Sequence, residues 1–184
     1  EYKSSNGTDL KLKLMPNHQW ISARENALGS NIDFTANMPT EEIFTMPYRN
    51  HVNGKVVTTK PLDFSGNLIE EFTLEFKDGR VVNYSATTAQ DALKELVEFD
   101  EGSAYLGEVA LVSKQSPITK MGVIFYNGLI DENAACHLAF GEGFSSCVKD
   151  YEKYTLEEIR ELGINNSIVH VDFMIGTEDL NITG

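Results

Sequence analysis

The run Ile168-Val169-His170-Val171-Asp172-Phe173-Met174-Ile175 limits the folds open to this chain more than any other stretch. Apart from two positions it is β-branched, aromatic or apolar, so Ser167 to Ile175 reads as a buried strand. Side chains alternate across a strand, which sends His170 and Asp172 to one face about 7 Å apart. The opposite face, Val169, Val171, Phe173 and Ile175, is wholly apolar and must be packed. Ile168 and Met174 flank the polar pair and argue against free exposure on its side. An ionised Asp in such surroundings needs a partner, because isolated buried charge is very costly. The strand therefore carries either a hydrogen-bonded His/Asp pair or part of a metal site.

The same anomaly recurs elsewhere. In Leu106-Gly107-Glu108-Val109-Ala110-Leu111-Val112, Glu108 is the one charge in seven residues and alternation places it with Leu106, Ala110 and Val112. It reads as an edge residue or as a functional carboxylate. In Asp131-Glu132-Asn133-Ala134-Ala135-Cys136-His137, a helical turn from Glu132 would bring His137 near enough to share a site, with Cys136 a small buried residue. In Asn37-Met38-Pro39-Thr40-Glu41-Glu42, adjacent Glu side chains diverge, so at most one joins a common site; first-turn helix acids are the plain alternative. His18 and His51 sit in polar, turn-like contexts and read as surface or loop residues. Two His with several carboxylates suit Zn²⁺, Co²⁺ or Mn²⁺, and carboxylates can bridge two such ions into hydrolytic machinery.

The remaining sequence reads as scaffold of one domain. Leu10 to Met15, Gly54 to Thr59 and Leu68 to Phe76 are strand-like, and Asp78-Gly79 before Val81-Val82-Asn83-Tyr84 is a hairpin signal. Gly122 to Tyr126 reads as a further buried strand. Thr88 with Asp91 and Thr155 with Glu158 resemble capping boxes, the first opening an amphipathic helix that ends near Gly102, the second a shorter helix stopped by Gly163. The expected fold is α+β: a mixed, largely antiparallel β-sheet with a few flanking helices. Fifteen Lys and Arg against 28 Asp and Glu give a net charge of -13, which repels phosphate backbones and disfavours nucleic acid as a partner. No apolar run approaches the roughly 18 residues of a membrane span. Two cysteines, Cys136 and Cys147, are too few for a disulfide scaffold and fit a reducing, cytoplasmic setting.

The order and spacing of these clusters resembles the aminopeptidase T-like, or thermophilic, family of dinuclear metallo-aminopeptidases. The resemblance rests on Gly7-Thr8-Asp9-Leu10, Asn37 to Pro47, Val52-Asn53-Gly54, Thr59-Lys60-Pro61-Leu62, Gly66 to Glu70, Tyr105 to Val112, Phe125-Tyr126-Asn127, Asp131 to Ala134, Cys136-His137-Leu138-Ala139, and Asn165 to Gly176. It implies a peptidase that releases N-terminal residues from peptides with two divalent metals, and a homodimer. It implies Glu42, Glu108, His137, His170 and Asp172 as metal ligands, Glu132 as a sixth, and Glu108 between the metals, helping to activate water. Members are about twice this length, so 1–184 is expected to be the catalytic metal-binding part of a two-domain protein, truncated at both ends. One departure stands out: Phe144 occupies the place of a tyrosine that in the family assists the transition state. A metal- or peptide-binding module with weak or no turnover is the alternative reading.

Overall fold

The computed structural model describes residues 1–184 except positions 23 and 28. Its strands form two main sheets. The first runs β11 (Arg80–Ser85), β10 (Thr73–Lys77), β7 (Pro47–Val57), β2 (Asp9–Leu14), β1 (Tyr2–Lys3) and β15 (Asn181–Ile182). The second runs β14 (His170–Met174), β13 (His137–Gly141), β12 (Leu106–Val112), β6 (Glu42–Thr45) and β3 (Ile21–Ser22). Two ribbons, β4 (Arg24–Asn26) with β5 (Asp33–Thr35) and β8 (Leu62–Phe64) with β9 (Asn67–Ile69), stand apart. Every pairing among the described strands is antiparallel. This is the α+β, largely antiparallel fold expected, with its strands divided between two sheets.

The main core lies between the sheets. Leu10, Val52, Val56, Leu74 and Phe76 come from the first, Val109, Leu138, Phe140 and Phe173 from the second, and all belong to one buried cluster. The helix α1 (Gln90–Val97) closes it with Ala92, Leu93, Leu96 and Val97, the stripe its sequence period marks out. Fully burying one such side chain contributes roughly 1.5–3 kcal/mol, which is why the apolar face of each strand fixes its layer.

Local chemistry sets the turns. Asp78 (φ 49°) and Gly79 (φ 87°) both take left-handed conformations between β10 and β11, as a two-residue hairpin turn requires. A Cβ on Gly79 would meet the Arg49 carbonyl oxygen at 1.8 Å, so glycine is needed twice over. The helix α4 (Leu156–Glu161) has its capping box: Glu158 N donates to Thr155 Oγ1 at 3.2 Å, and Thr155 N donates to Glu158 Oε2 at 2.7 Å.

Other sequence expectations give way. Thr88 does not cap α1, which starts from Ala89 in a left-handed conformation; the Thr88 hydroxyl donates instead to Glu70 Oε2. That helix stops at Val97, short of Gly102. The run Leu68 to Phe76 is broken where Glu71 turns left-handed (φ 46°) and Phe72 is pinned through both its N–H and C=O to the Thr58 hydroxyl. Gly122 to Tyr126 is not a strand. Gly122 caps the short helix α2 (Pro117–Met121), and Tyr126 turns left-handed ahead of α3 (Gly128–Asp131). His51 lies within β7, its ring stacked 4.4 Å from that of Tyr48, instead of in a loop. His18 forms an isolated antiparallel bridge with Val148, its Nδ1 against the Met15 carbonyl at 2.9 Å.

Candidate metal centre

Four neighbouring strands, β6, β12, β13 and β14, each place polar side chains on the face of the second sheet turned away from the main core. Ladder partners set their spacing: Glu108 pairs with Ala139, Ala139 with Asp172, Ala110 with His137, and Gly141 with His170. Glu42 enters opposite Val112. Strands about 4.8 Å apart thus gather residues that lie far apart in sequence.

A β-bulge aims Glu108. The register shifts between Leu106 and Glu108, so Leu106, opposite Phe140, packs in the main core while Glu108 points the other way. Strict alternation would have put both on one face. The bulge depends on Gly107, where a Cβ would meet the Glu142 oxygen at 2.1 Å and the Gly141 oxygen at 2.4 Å.

The resulting cluster is tight. His137 Nε2 lies 3.0 Å from Glu42 Oε2 and 3.3 Å from Glu108 Oε1. His170 Nε2 lies 3.4 Å from Asp172 Oδ1 and 3.7 Å from Glu108 Oε2. These atoms form two triads, Glu42–Glu108–His137 and Glu108–His170–Asp172, with Glu108 in both. Both imidazoles are oriented by the main chain: His137 Nδ1 meets the Ala135 carbonyl at 3.0 Å and His170 Nδ1 the Glu142 carbonyl at 2.8 Å. A carbonyl can only accept, so each Nδ1 carries a proton, and Nε2 is the nitrogen that can offer a lone pair to a cation once its own proton is displaced. His137 Nε2, Glu42 Oε2 and Asp172 Oδ1 are buried with no aligned hydrogen-bond partner, despite their short contacts. Buried polar atoms are rarely left so, and cations held at the two triads would satisfy all three. The donor set, imidazole nitrogen with carboxylate oxygen, therefore fits a divalent metal at each triad.

Electrostatics point the same way. Burial pushes the Glu108 carboxyl above its usual range, against the pull of His137. Burial, then Asp172 and Glu42, raise Glu132 to about 8. Burial works to lower both imidazoles, but the carboxylates outweigh it: His170 rises to about 9, chiefly through Asp172, and His137 rises well above its ordinary value through Glu108 and Glu42. Asp172 is lowered by the two imidazoles in spite of its burial. The cluster thus draws positive charge from whatever source supplies it.

Of the residues singled out in the sequence, Glu42, Glu108, His137, His170 and Asp172 converge here. Glu42 begins a strand rather than sitting in a helical turn, and Glu41 points outward. Glu132, in a 3₁₀ turn after α3, stands outside both triads on the wall of a cavity of about 630 Å³ that Glu42, Glu108, His170 and Asp172 also line. Cys136 is partly buried, its thiol exchanging contacts with the Val112 main chain on the neighbouring strand. Supporting residues were not visible in the sequence. Fully buried Asn133 accepts from Glu41 N and donates to the Pro39 and Leu129 carbonyls, which fixes the approach to Glu42. Asp100 accepts from Ser167 Oγ and Ile168 N, fixing the approach to His170. Nothing in a one-dimensional pattern marks contacts that span about 70 to 90 positions.

The chain is 51% identical over 178 residues to aminopeptidase AmpS of Bacillus subtilis (strain 168), covering 97% of this chain and 43% of that protein. Its structure matches wild-type AmpT of Thermus thermophilus with a TM-score of 0.88 at 39% identity, covering 97% and 43% of the two chains. A 2,5-dihydroxypyridine dioxygenase from Pseudomonas putida KT2440 shares the fold alone, at a TM-score of 0.60, 14% identity and coverages of 94% and 48%. The chain thus spans less than half the length of the curated relatives it matches. The model of the thermophilic metalloprotease (M29) family matches residues 1–184 throughout, and this chain belongs to that family.

Proposed function

We propose that this chain carries the dinuclear metal centre of an aminopeptidase, which removes N-terminal residues from peptides. The observation that supports this most is the pair of triads sharing Glu108, each with an imidazole held through Nδ1 by a main-chain carbonyl and turned inward through Nε2. Four carboxylates, Glu42, Glu108, Glu132 and Asp172, carry enough charge between them to balance two dications. Glu132 then serves as the sixth donor from the cavity wall. Zn²⁺, Co²⁺ and Mn²⁺ all suit these donors. Bound there, the ions supply polarisation of a carbonyl and a water acidic enough to ionise near neutral pH. The protein's own part is to hold the site rigid, with Glu108 between the two positions beside the attacking water, and to shelter it within the cavity.

The same proposal makes residues 1–184 the metal-binding part of a longer two-domain protein that acts as a homodimer in the cytoplasm. No helix among the described residues is long and apolar enough to cross a membrane, and both cysteines are free. One observation favours a binding module of low turnover instead. Phe144 lines the cavity with its ring 4.6 Å from that of His170, and it offers no hydroxyl where the family pattern has a tyrosine. The deciding experiment combines metal analysis of protein purified without chelator with hydrolysis of leucine amide. Two ions per chain and EDTA-sensitive release of leucine are expected. Metal without turnover would favour the binding module.

A further inference from the structure

The segment Phe125-Tyr126-Asn127-Gly128 supplies no ligand, yet it is held firmly. Asp131 Oδ1 accepts from Phe125 N at 2.8 Å and Oδ2 from Asn127 N at 3.0 Å. Between them Tyr126 sits at φ 54°, a conformation unfavourable for a residue with a side chain, and one that persists only where its surroundings impose it. Strain of this kind gathers at functional sites.

What the clamp builds is a partition. Asn127 and Gly128 line both the 630 Å³ cavity and a second one of about 260 Å³, and the two meet at His170 and Asp172. The smaller is walled by Leu62, Phe64, Ile124, Val171 and Met174. Besides Asp172 at the junction, two carboxylates face it, but both oxygens of Asp131 are occupied by main-chain N–H groups. Asp63, exposed on β8, is the one left to greet an incoming group.

An enzyme that removes single N-terminal residues must seat one side chain on one side of the bond and pass a chain of any length on the other. Two cavities of unequal size meeting at the ligands match that need. We propose that the smaller cavity seats the side chain of the residue being removed and favours a long apolar stem with a cationic tip, lysine or arginine, the tip facing Asp63. The stem lies along Leu62, Phe64 and Met174 and the ammonium or guanidinium reaches the rim, as amphipathic side chains do elsewhere. This rests on the aminopeptidase reading.

The test uses the metal-loaded full-length protein and the hydroxamates of arginine, leucine and alanine, whose binding can be measured without turnover. Asp63→Asn should lower the arginine-to-leucine affinity ratio about threefold to fivefold, the worth of one exposed ion pair. Gly128→Leu probes the partition. A Cβ there meets nothing within 4 Å and the backbone is not left-handed, so the new side chain enters the junction without strain. It should weaken arginine and leucine hydroxamates relative to alanine hydroxamate by about tenfold. If both ratios stay at their unmodified values, the cavity does not seat the side chain. Turnover of leucine amide by the unmodified protein judges the aminopeptidase reading separately: activity with unshifted ratios sinks only the subsite, and shifted ratios without activity sink only the enzyme.

Discussion

Ala139 lies between Glu108 and Asp172 across the ladder of β12, β13 and β14, on the face that carries His137. Its methyl group is fully buried, so a larger side chain has only the space between those two neighbours to enter. Ala139→Leu should fill that space, costing about 1–3 kcal/mol through overpacking. Metal content should fall below that of the unmodified protein, read by mass spectrometry after gel filtration; an unaltered content would mean the ions sit elsewhere. Phe144 is the other single position with a sharp consequence. Phe144→Tyr adds a hydroxyl beside His170 and should raise kcat, up to the ~10²–10³ that one oxyanion donor supplies, with KM nearly constant because the contact forms only in the transition state. No gain in an enzyme that is already fast would show the hydroxyl to be dispensable.

At the scale of elements, the bulge in β12 and the start of α4 make opposite kinds of demand. The bulge needs Gly107 because two carbonyl oxygens occupy the Cβ position. Gly107→Ala should destabilise the chain by more than about 1 kcal/mol, since the native backbone cannot accept it. It should also weaken metal binding roughly 10- to 100-fold by turning Glu108, the scale seen when support for a ligand is lost. Isothermal titration with Zn²⁺ reads the second effect. α4 needs only a local hydroxyl: Thr155→Ala removes a formed capping box and should cost about 1 kcal/mol in urea denaturation. Thr88→Ala, at the capping signature that does not form, should stay within about 0.5 kcal/mol. Equal losses at the two threonines would contradict the helix starts described above.

For the whole molecule, the site ties stability to pH and to metal. The folded values of His137, His170 and Glu132 all lie above their ordinary ones, so the metal-free folded state binds more protons than the unfolded state in the intervening range. Stability from these groups is fully present at low pH. That from Glu132 is lost as pH rises from its ordinary carboxylate value to about 8, and that from His170 as pH rises to about 9. In the presence of EDTA the unfolding free energy from urea denaturation should fall between pH 6 and pH 9, by on the order of a few kcal/mol in all. Zn²⁺ at a hundredfold excess over its Kd should add about 2.7 kcal/mol. That gain should grow with pH, because metal displaces the imidazole protons. A pH-independent midpoint in EDTA, with no response to Zn²⁺, would argue against a cation site.

The sequence by itself determined which residues were out of place: a lone Glu108 among apolar neighbours, and His170 with Asp172 on one face of an otherwise buried strand. It also marked the Asp78-Gly79 hairpin, the α1 stripe and the Thr155 cap, because side-chain period, turn conformation and capping are set within a few residues. Tertiary structure alone decided that Glu42, Glu108, His137, His170 and Asp172 meet, since the order β14, β13, β12, β6 joins segments over a hundred positions apart. It decided that Gly107 reverses the facing of Leu106, and that Gly122 to Tyr126 forms a clamped turn instead of a strand. It also decided that the Ala135 and Glu142 carbonyls take each imidazole Nδ1 and turn Nε2 toward the carboxylates. Periodicity tells a side chain which way to face along its own strand. Which neighbour that strand pairs with, and in which register, is settled by burying the whole core at once.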